Sequence, residues 1–211
     1  MKTQSFFAVV AAVVLPGMAF AGGLGEPVPE VVVAAAAPVA VAQDWSGLYG
    51  GITAGKTANG RATFIYSGIP NDFYDLSGRG AGLFVGYNMQ RNAMVYGVEV
   101  AAQAVDYAIG EGDEPHFTSM IDLKVRGGVA VGRALPYAFI GYSTGAWKNL
   151  ELTSPNATGV NYGVGVDFAL SDVWFAGAEY IQRNMSTDFN DNDNGVDIEF
   201  GTVQLRLGYR F

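Results

Sequence analysis

The segment VQLRLGYRF at the end of the chain alternates without a break. Val203, Leu205, Leu207, Tyr209 and Phe211 fall on one face of an extended strand, and Gln204, Arg206, Gly208 and Arg210 on the other. Successive side chains of a strand point to opposite faces, so one face here is apolar and the other carries full charges in mid-strand. The pattern recurs upstream. Val160, Tyr162, Val164, Val166, Phe168 and Leu170 oppose Asn161, Gly163, Gly165, Asp167 and Ala169. Likewise Ile121, Leu123, Val125, Val129 and Val131 oppose Asp122, Lys124 and Arg126. A soluble barrel fills its interior with apolar side chains. Here the faces are reversed, with charge inside and the apolar face left for lipid, which predicts an all-β, eight-stranded antiparallel transmembrane β-barrel.

From Trp45 onward no segment carries a helical period. Eight candidate strands lie near 45–57, 77–90, 93–108, 116–132, 135–150, 159–170, 173–186 and 196–211. Their connections alternate in length. Those around Arg91, Arg133–Ala134 and Ser171–Asp172 are tight, whereas 58–76, 109–115, 151–158 and 187–195 are longer and polar. Outer-membrane barrels show this asymmetry, with short periplasmic turns, longer external loops and an even strand number. Trp45, Tyr49, Tyr87, Tyr96, Tyr137, Trp174 and Tyr209 sit near strand ends, as expected of side chains at a bilayer interface. Inward and outward faces of the first and fifth strands are not assigned by the pattern. In the eighth, a change of phase between Phe200 and Val203 suggests a bulge or the exit from the membrane.

The N-terminal region sets the compartment. Lys2 and the apolar stretch FFAVVAAVVLPGMAF precede Ala19-Phe20-Ala21, a small-x-small site, so cleavage is expected between Ala21 and Gly22. The stretch is shorter than a spanning helix needs and is broken by Pro16 and Gly17. The expected organisation is a signal peptide over 1–21, an extended Pro/Ala/Val linker on the periplasmic side over 22–44, and the barrel over 45–211. The chain has no cysteine and a net charge of −8, which leaves no thiolate metal site and no basic patch for nucleic acid.

Several segments together resemble the OmpA-like and opacity-type small outer-membrane barrels of the alphaproteobacterial porin family. They are WSGLYGGITAG, GLFVGYNMQ, VYGVEV, KVRGGVAVGRALPYAFIGYS, NYGVGVDFALSDVWFAGAEY and the terminal LRLGYRF, covering residues 45–211. The resemblance implies a cell outer membrane location in a Gram-negative bacterium, contact with lipid and lipopolysaccharide, and delivery to barrel-insertion machinery through the terminal Phe211. It implies no cofactor. The sequence leaves no room for a peptidoglycan-binding domain, so cell-wall anchoring is not expected.

Function turns on the lumen. An eight-stranded barrel is just wide enough for its own side chains. The inward candidates are Glu99, Asp122, Lys124, Arg126, Asp167, Glu179, Arg183, Arg206 and Arg210, with both signs present. Buried charges must be paired or hydrated, so the expectation is an ion-pair network that plugs the barrel and leaves a structural or surface-interaction role. A narrow or gated pore for small solutes or ions is the alternative. A hydrolase at the outer rim ranks third, on His116 with Thr118 or Ser119 and the neighbouring Glu111, Asp113 and Glu114. Asp188, Asp191, Asp193 and Asp197 in DFNDNDNGVDIE invite a calcium reading, but the EF-hand register fails, and a solvated external loop is preferred. External segments 58–76 and 187–195 are where a surface ligand would bind. The clusters GRGAG and YGVGV precede no helix and leave room for large lumen neighbours instead of phosphate.

Overall fold

The computed structural model describes residues 43–110, 116–148, 156–190 and 194–211. The expected signal peptide, its cleavage pair Ala21 and Gly22, and the linker up to residue 42 lie outside the described residues. Eight strands follow in order: β1 (Gly47–Tyr66), β2 (Ile69–Arg91), β3 (Met94–Ile109), β4 (His116–Val129), β5 (Ala134–Lys148), β6 (Ala157–Ala169), β7 (Trp174–Asn190) and β8 (Asn194–Arg210). Each pairs antiparallel with its sequence neighbour, and β1 pairs with β8 to close the barrel. Closure satisfies every ladder and leaves no open edge, the condition for strands to cross a bilayer.

The outer wall is apolar. Val98, Val100, Leu123, Val125, Ile140, Val164, Val166 and Leu205 are all exposed. On β3 the apolar run outward from Met94 to Ala104 extends about 33 Å along the strand, and the usual tilt of about 40° reduces this to about 25 Å, the height of an outer-membrane apolar band. Near the tight-turn end, Tyr87, Tyr96 and Trp174 face outward with Phe168 and Phe211, and Tyr142 and Tyr162 face outward towards the other end. These form the two aromatic girdles. Trp45, Tyr49 and Tyr137 do not belong to them, because all three are buried in the lumen. On β1 and β5 both faces carry aromatic or aliphatic side chains, which is why composition left those strands unassigned.

The interior is layered. Trp45, Tyr49, Phe84, Leu135, Tyr137, Phe139 and Phe175 pack together towards the tight-turn end. Leu76, Tyr107, Phe117, Met120, Ile198 and Phe200 form a second apolar cluster towards the opposite end. An interior that is polar throughout is therefore not what the strands build. On β8 the alternation runs unbroken, with Val196, Ile198, Phe200, Thr202, Gln204, Arg206 and Arg210 all buried. The apparent phase change is a change in inner-face chemistry, from apolar to polar. The bulge lies across the seam in β1, where Thr57 pairs with Thr202 but Asn59 with Gly201.

Two expected loops are mostly strand. Segment 58–76 is the upper part of the β1–β2 hairpin, turned at Ser67 (φ 52°) and Gly68 (φ 74°). Two consecutive positive φ values match the twist that two-residue hairpins require. Segment 187–195 is mostly continued β7 and β8, which still pair at Asn190 and Asn194. Apolar alternation marks only the lipid-facing length, while β pairing continues into water on backbone hydrogen bonds and cross-strand contacts. At the other end, Gln43 N–H donates to Gly132 O at 3.2 Å and Phe211 N–H to Leu48 O at 2.9 Å. Both described chain ends thus sit at the tight-turn end. Ser46 N–H donates to Asp44 at 2.9 Å, and this backbone hydrogen bond, with the Ser46 side chain, holds the Asp44 carboxyl below its ordinary value.

Inner-face glycines act as slots for rings. A Cβ on Gly208 would stand 2.2 Å from the Phe175 ring, and one on Gly165 would stand 2.5 Å from Tyr137. Gly208→Val is expected to destabilise the barrel by about 1–3 kcal/mol through overpacking. The check is the temperature at which the folded band converts to unfolded mobility in a detergent gel; an unchanged midpoint would remove the slot argument.

Candidate functional site

Between the two apolar layers lies a belt of charge. β3 supplies Glu99, β4 supplies Asp122, Lys124 and Arg126, β6 supplies Asp167, β7 supplies Glu179 and Arg183, and β8 supplies Arg206. Four carboxylates face four cations, and no side chain in these pairs is more than 3% exposed. Register brings them together: Glu99 is opposite Lys124, and β7–β8 pairing sets Gly177 against Arg206 and Glu179 against Gln204. The long side chains then meet across the lumen.

The contacts form two groups. In the larger, Glu99 accepts from Arg206 at 2.6 and 3.1 Å, from Lys124 at 3.2 Å and from Arg126 at 3.3 Å. Glu179 accepts from Lys124 at 2.6 Å and Arg206 at 2.9 Å. Asp167 accepts from Arg126 at 2.8 Å, with Arg206 Nε at 3.4 Å from its other oxygen. In the smaller group, Arg183 grips Asp122 through Nε at 3.0 Å and Nη2 at 2.6 Å. Such two-point grips are the strongest charge-assisted hydrogen bonds available to these side chains.

Neutral groups occupy many of the remaining positions. Tyr49 donates to Glu99 at 3.0 Å and Tyr137 to Glu179 at 2.9 Å. Ser143 and Gln103 donate to Asp122 at 2.6 and 3.2 Å, and Gln204 donates to Glu179 at 2.7 Å. Aromatic faces cover the cations, with Tyr137 3.8 Å from the Arg126 guanidinium and Phe84 4.2 Å from that of Arg206. These aromatic partners come from β1, β2 and β5. Charge patterning alone did not single them out, since an inward tyrosine or phenylalanine reads as wall or girdle. The signal available was the parity that aligns Tyr49 with Thr53, and Tyr137 with Phe139 and Ser143.

Arg210, expected in the network, stands apart from it. It faces inward at the rim, where it donates to the backbone carbonyls of Asp44 and Asp172, and to Ser171 O at 3.4 Å. Two residues beyond Gly208, it is too near the chain ends to reach the carboxylate layer, and carbonyls freed by the turn are its nearest acceptors. It ties the entry to β1 to the β6–β7 turn.

Among the described residues, no constellation for the hydrolase reading is assembled. The side chain of His116, together with Glu111, Asp113 and Glu114, lies outside the described residues. Thr118 sits at a pairing irregularity between Phe117 and Ser119, which interrupts the simple alternation that aligned it with His116. Side chains of Asp188, Asp191 and Asp193 are likewise outside the described residues; Asp197 is exposed, and no cluster of metal-binding side chains occurs among the described residues.

The fold and its charged lumen are those of a small outer-membrane β-barrel, and comparison with known proteins agrees. Residues 31–211 match the family described as outer membrane protein beta-barrel domain, and the chain belongs to it. It is 27% identical over 225 residues to the 25 kDa outer-membrane immunogenic protein of Brucella canis, covering 100% of both chains. The corresponding protein of Brucella ovis is 27% identical over 220 residues, again with 100% of both covered. Among solved structures, the outer membrane protein OprG of Pseudomonas aeruginosa superposes with a TM-score of 0.52 at 13% identity, covering 79% of this chain and 96% of that one. The protein is thus an outer-membrane β-barrel.

Arg206 touches three carboxylates, so Arg206→Ala strands buried negative charge. The expected loss is about 3–5 kcal/mol of unfolding free energy, the usual cost of breaking a buried pair from one side. Arg210→Ala, which removes contacts to carbonyls and to the Trp45 ring but strands no buried carboxylate, is expected to cost less. Urea unfolding of the vesicle-inserted protein measures both, and equal midpoints for the two variants would contradict the network.

Proposed function

We propose that the protein is a structural and surface-presenting barrel whose lumen is closed to solutes. The observation that carries this reading is the charge layer itself. Its four carboxylates and four cations are mutually compensated, capped by tyrosine hydroxyls and stacked on aromatic rings, with apolar clusters on both sides. Opening a path requires separating charges that have little water to replace their partners, which is costly in a low-dielectric interior. Nothing in the layer is arranged as a single-sign ring of the sort that selects ions in a pore.

On this reading the functional surface lies outside the lumen. The β1–β2 hairpin carries its turn well past the apolar band and exposes Tyr66, Ile69, Phe73 and Tyr74. Its relatives in Brucella are described as immunogenic, a property that display on the cell exterior supports. No chemical step is assigned to the barrel, and its work is to anchor and orient that hairpin. The chain is taken to reach this position through removal of a signal peptide between Ala21 and Gly22, with Phe211 serving as the assembly signal.

Planar-bilayer recording of the folded protein tests the closed lumen. The expected outcome is a silent membrane together with the gel mobility of a folded barrel. Discrete salt-dependent steps from the same preparation would overturn the reading in favour of a narrow pore.

A further inference from the structure

The outer wall of β1–β3 is ordered in rows. Pairing sets Gly50, Val85 and Val100 side by side, then Ile52, Leu83 and Ala102, then Ala54, Ala81 and Ala104, and finally Lys56, Arg79 and Asp106. All four rows face outward. The first two line an apolar groove of about 540 Å³ that ends at Phe211 near the tight turns, and the third row with Arg79 and Asp106 of the fourth lines a second of about 550 Å³ directly above it. Leu205 of β8, opposite Ala54, and Ser119 of β4, opposite Ala104, flank the alanine row.

The fourth row marks the external edge of the apolar band. Tight turns and both described chain ends sit at the opposite end, which in outer-membrane barrels is periplasmic. Lys56 and Arg79 are exposed, and neither has an ion-pair or hydrogen-bond partner among the described residues. Asp106 is the one carboxylate beside them, so the row keeps an excess positive charge on a chain whose net charge is −8. Above it, on the β1–β8 side, a polar depression of about 510 Å³ is lined by Asn59, Arg61, Asp75, Gln182 and Glu199. Two amides and two carboxylates outweigh its one cation, Arg61, and match hydroxyl groups better than a second phosphate.

From the inside edge outward, the wall therefore offers an apolar groove, a cationic pair and a hydroxyl-matching depression. We propose that this β1–β3 wall binds a phosphorylated, acylated glycolipid of the lipopolysaccharide class, with an acyl chain in the groove and a phosphate on Lys56 and Arg79. The saccharide then lies against the polar depression. This order of chemistry separates the glycolipid from an anionic phospholipid, which would use the groove and cations alone. The site stands whether or not the lumen conducts.

The test uses the folded full-length barrel in phosphatidylcholine nanodiscs titrated with rough lipopolysaccharide. Saturable binding is expected. The double variant Lys56→Gln/Arg79→Gln should weaken it by about ten- to thirtyfold at moderate salt, from roughly one headgroup interaction lost per cation. Ala81→Trp, which fills the groove below the cations, should weaken it as well, whereas Val164→Trp on the distant β6 wall should not. Gel mobility confirms that each variant is folded, and if Ala81→Trp fails that check the charge variant decides alone. Wild-type affinity retained by the folded charge variant would overturn the proposal. So would equal affinity for phosphatidylglycerol, which would assign the groove and cations to any anionic lipid.

Discussion

Hydrocarbon offers a peptide bond no hydrogen-bonding partner, and this one constraint organises the molecule. Every N–H and C=O that crosses the bilayer has to be paired within the protein, which forces the β1–β8 seam and, with it, a closed cylinder. Once the cylinder has eight strands, its bore is fixed at about the width of its own side chains. The interior is then a packing problem. It is solved with alternating ring, charge and ring layers, and the charges are admitted only because each sign finds the other at hydrogen-bonding distance. Inner glycines are part of the same solution, since the bore has room for Phe175 or Tyr137 only where the facing strand has no side chain.

The division between inside and outside also divides what a charge can do. Arg206 and Arg126 are enclosed by carboxylates and rings and act as internal ties. Arg210 ties the chain end to the turn through carbonyls. Lys56 and Arg79 point away from the barrel and have no ion-pair or hydrogen-bond partner among the described residues. The same residue types are structural, terminal or outward-acting according to strand parity and height.

Much of this was readable in the sequence. Strand number, closure, direction of the faces on β4, β6 and β8, and the inward parity of all nine expected charges, eight of which meet in ion pairs, follow from a period of two in which one parity carries Asp, Glu, Lys and Arg. The remainder was hidden for physical reasons. Trp45, Tyr49 and Tyr137 look like girdle residues because an aromatic ring suits both an interface and a lumen, and only pairing register separates the two. Strand length beyond the membrane was missed because the alternation that marks a lipid-facing wall stops where lipid stops, although the ladder does not. Arg210 shares the inward parity of Arg206, and only its height on the strand removes it from the network. The row arrangement on β1–β3 could not be seen in one dimension at all, since Lys56, Arg79 and Asp106 become neighbours only through two hairpins.

The layering of charge has a consequence earlier in the life of the chain. Asp122, Lys124 and Arg126 interrupt β4, and Arg206 and Arg210 interrupt β8, at every second position, while β5, uncharged from Ala134 to Trp147, is shorter than a spanning helix needs. A polypeptide threaded through the inner membrane as an extended string therefore presents nothing there that resembles a stop-transfer helix. The strands become greasy only after pairing sorts their side chains to two sides. The residues that hold the finished barrel together thus also keep its extended chain free of a segment that a bilayer would retain.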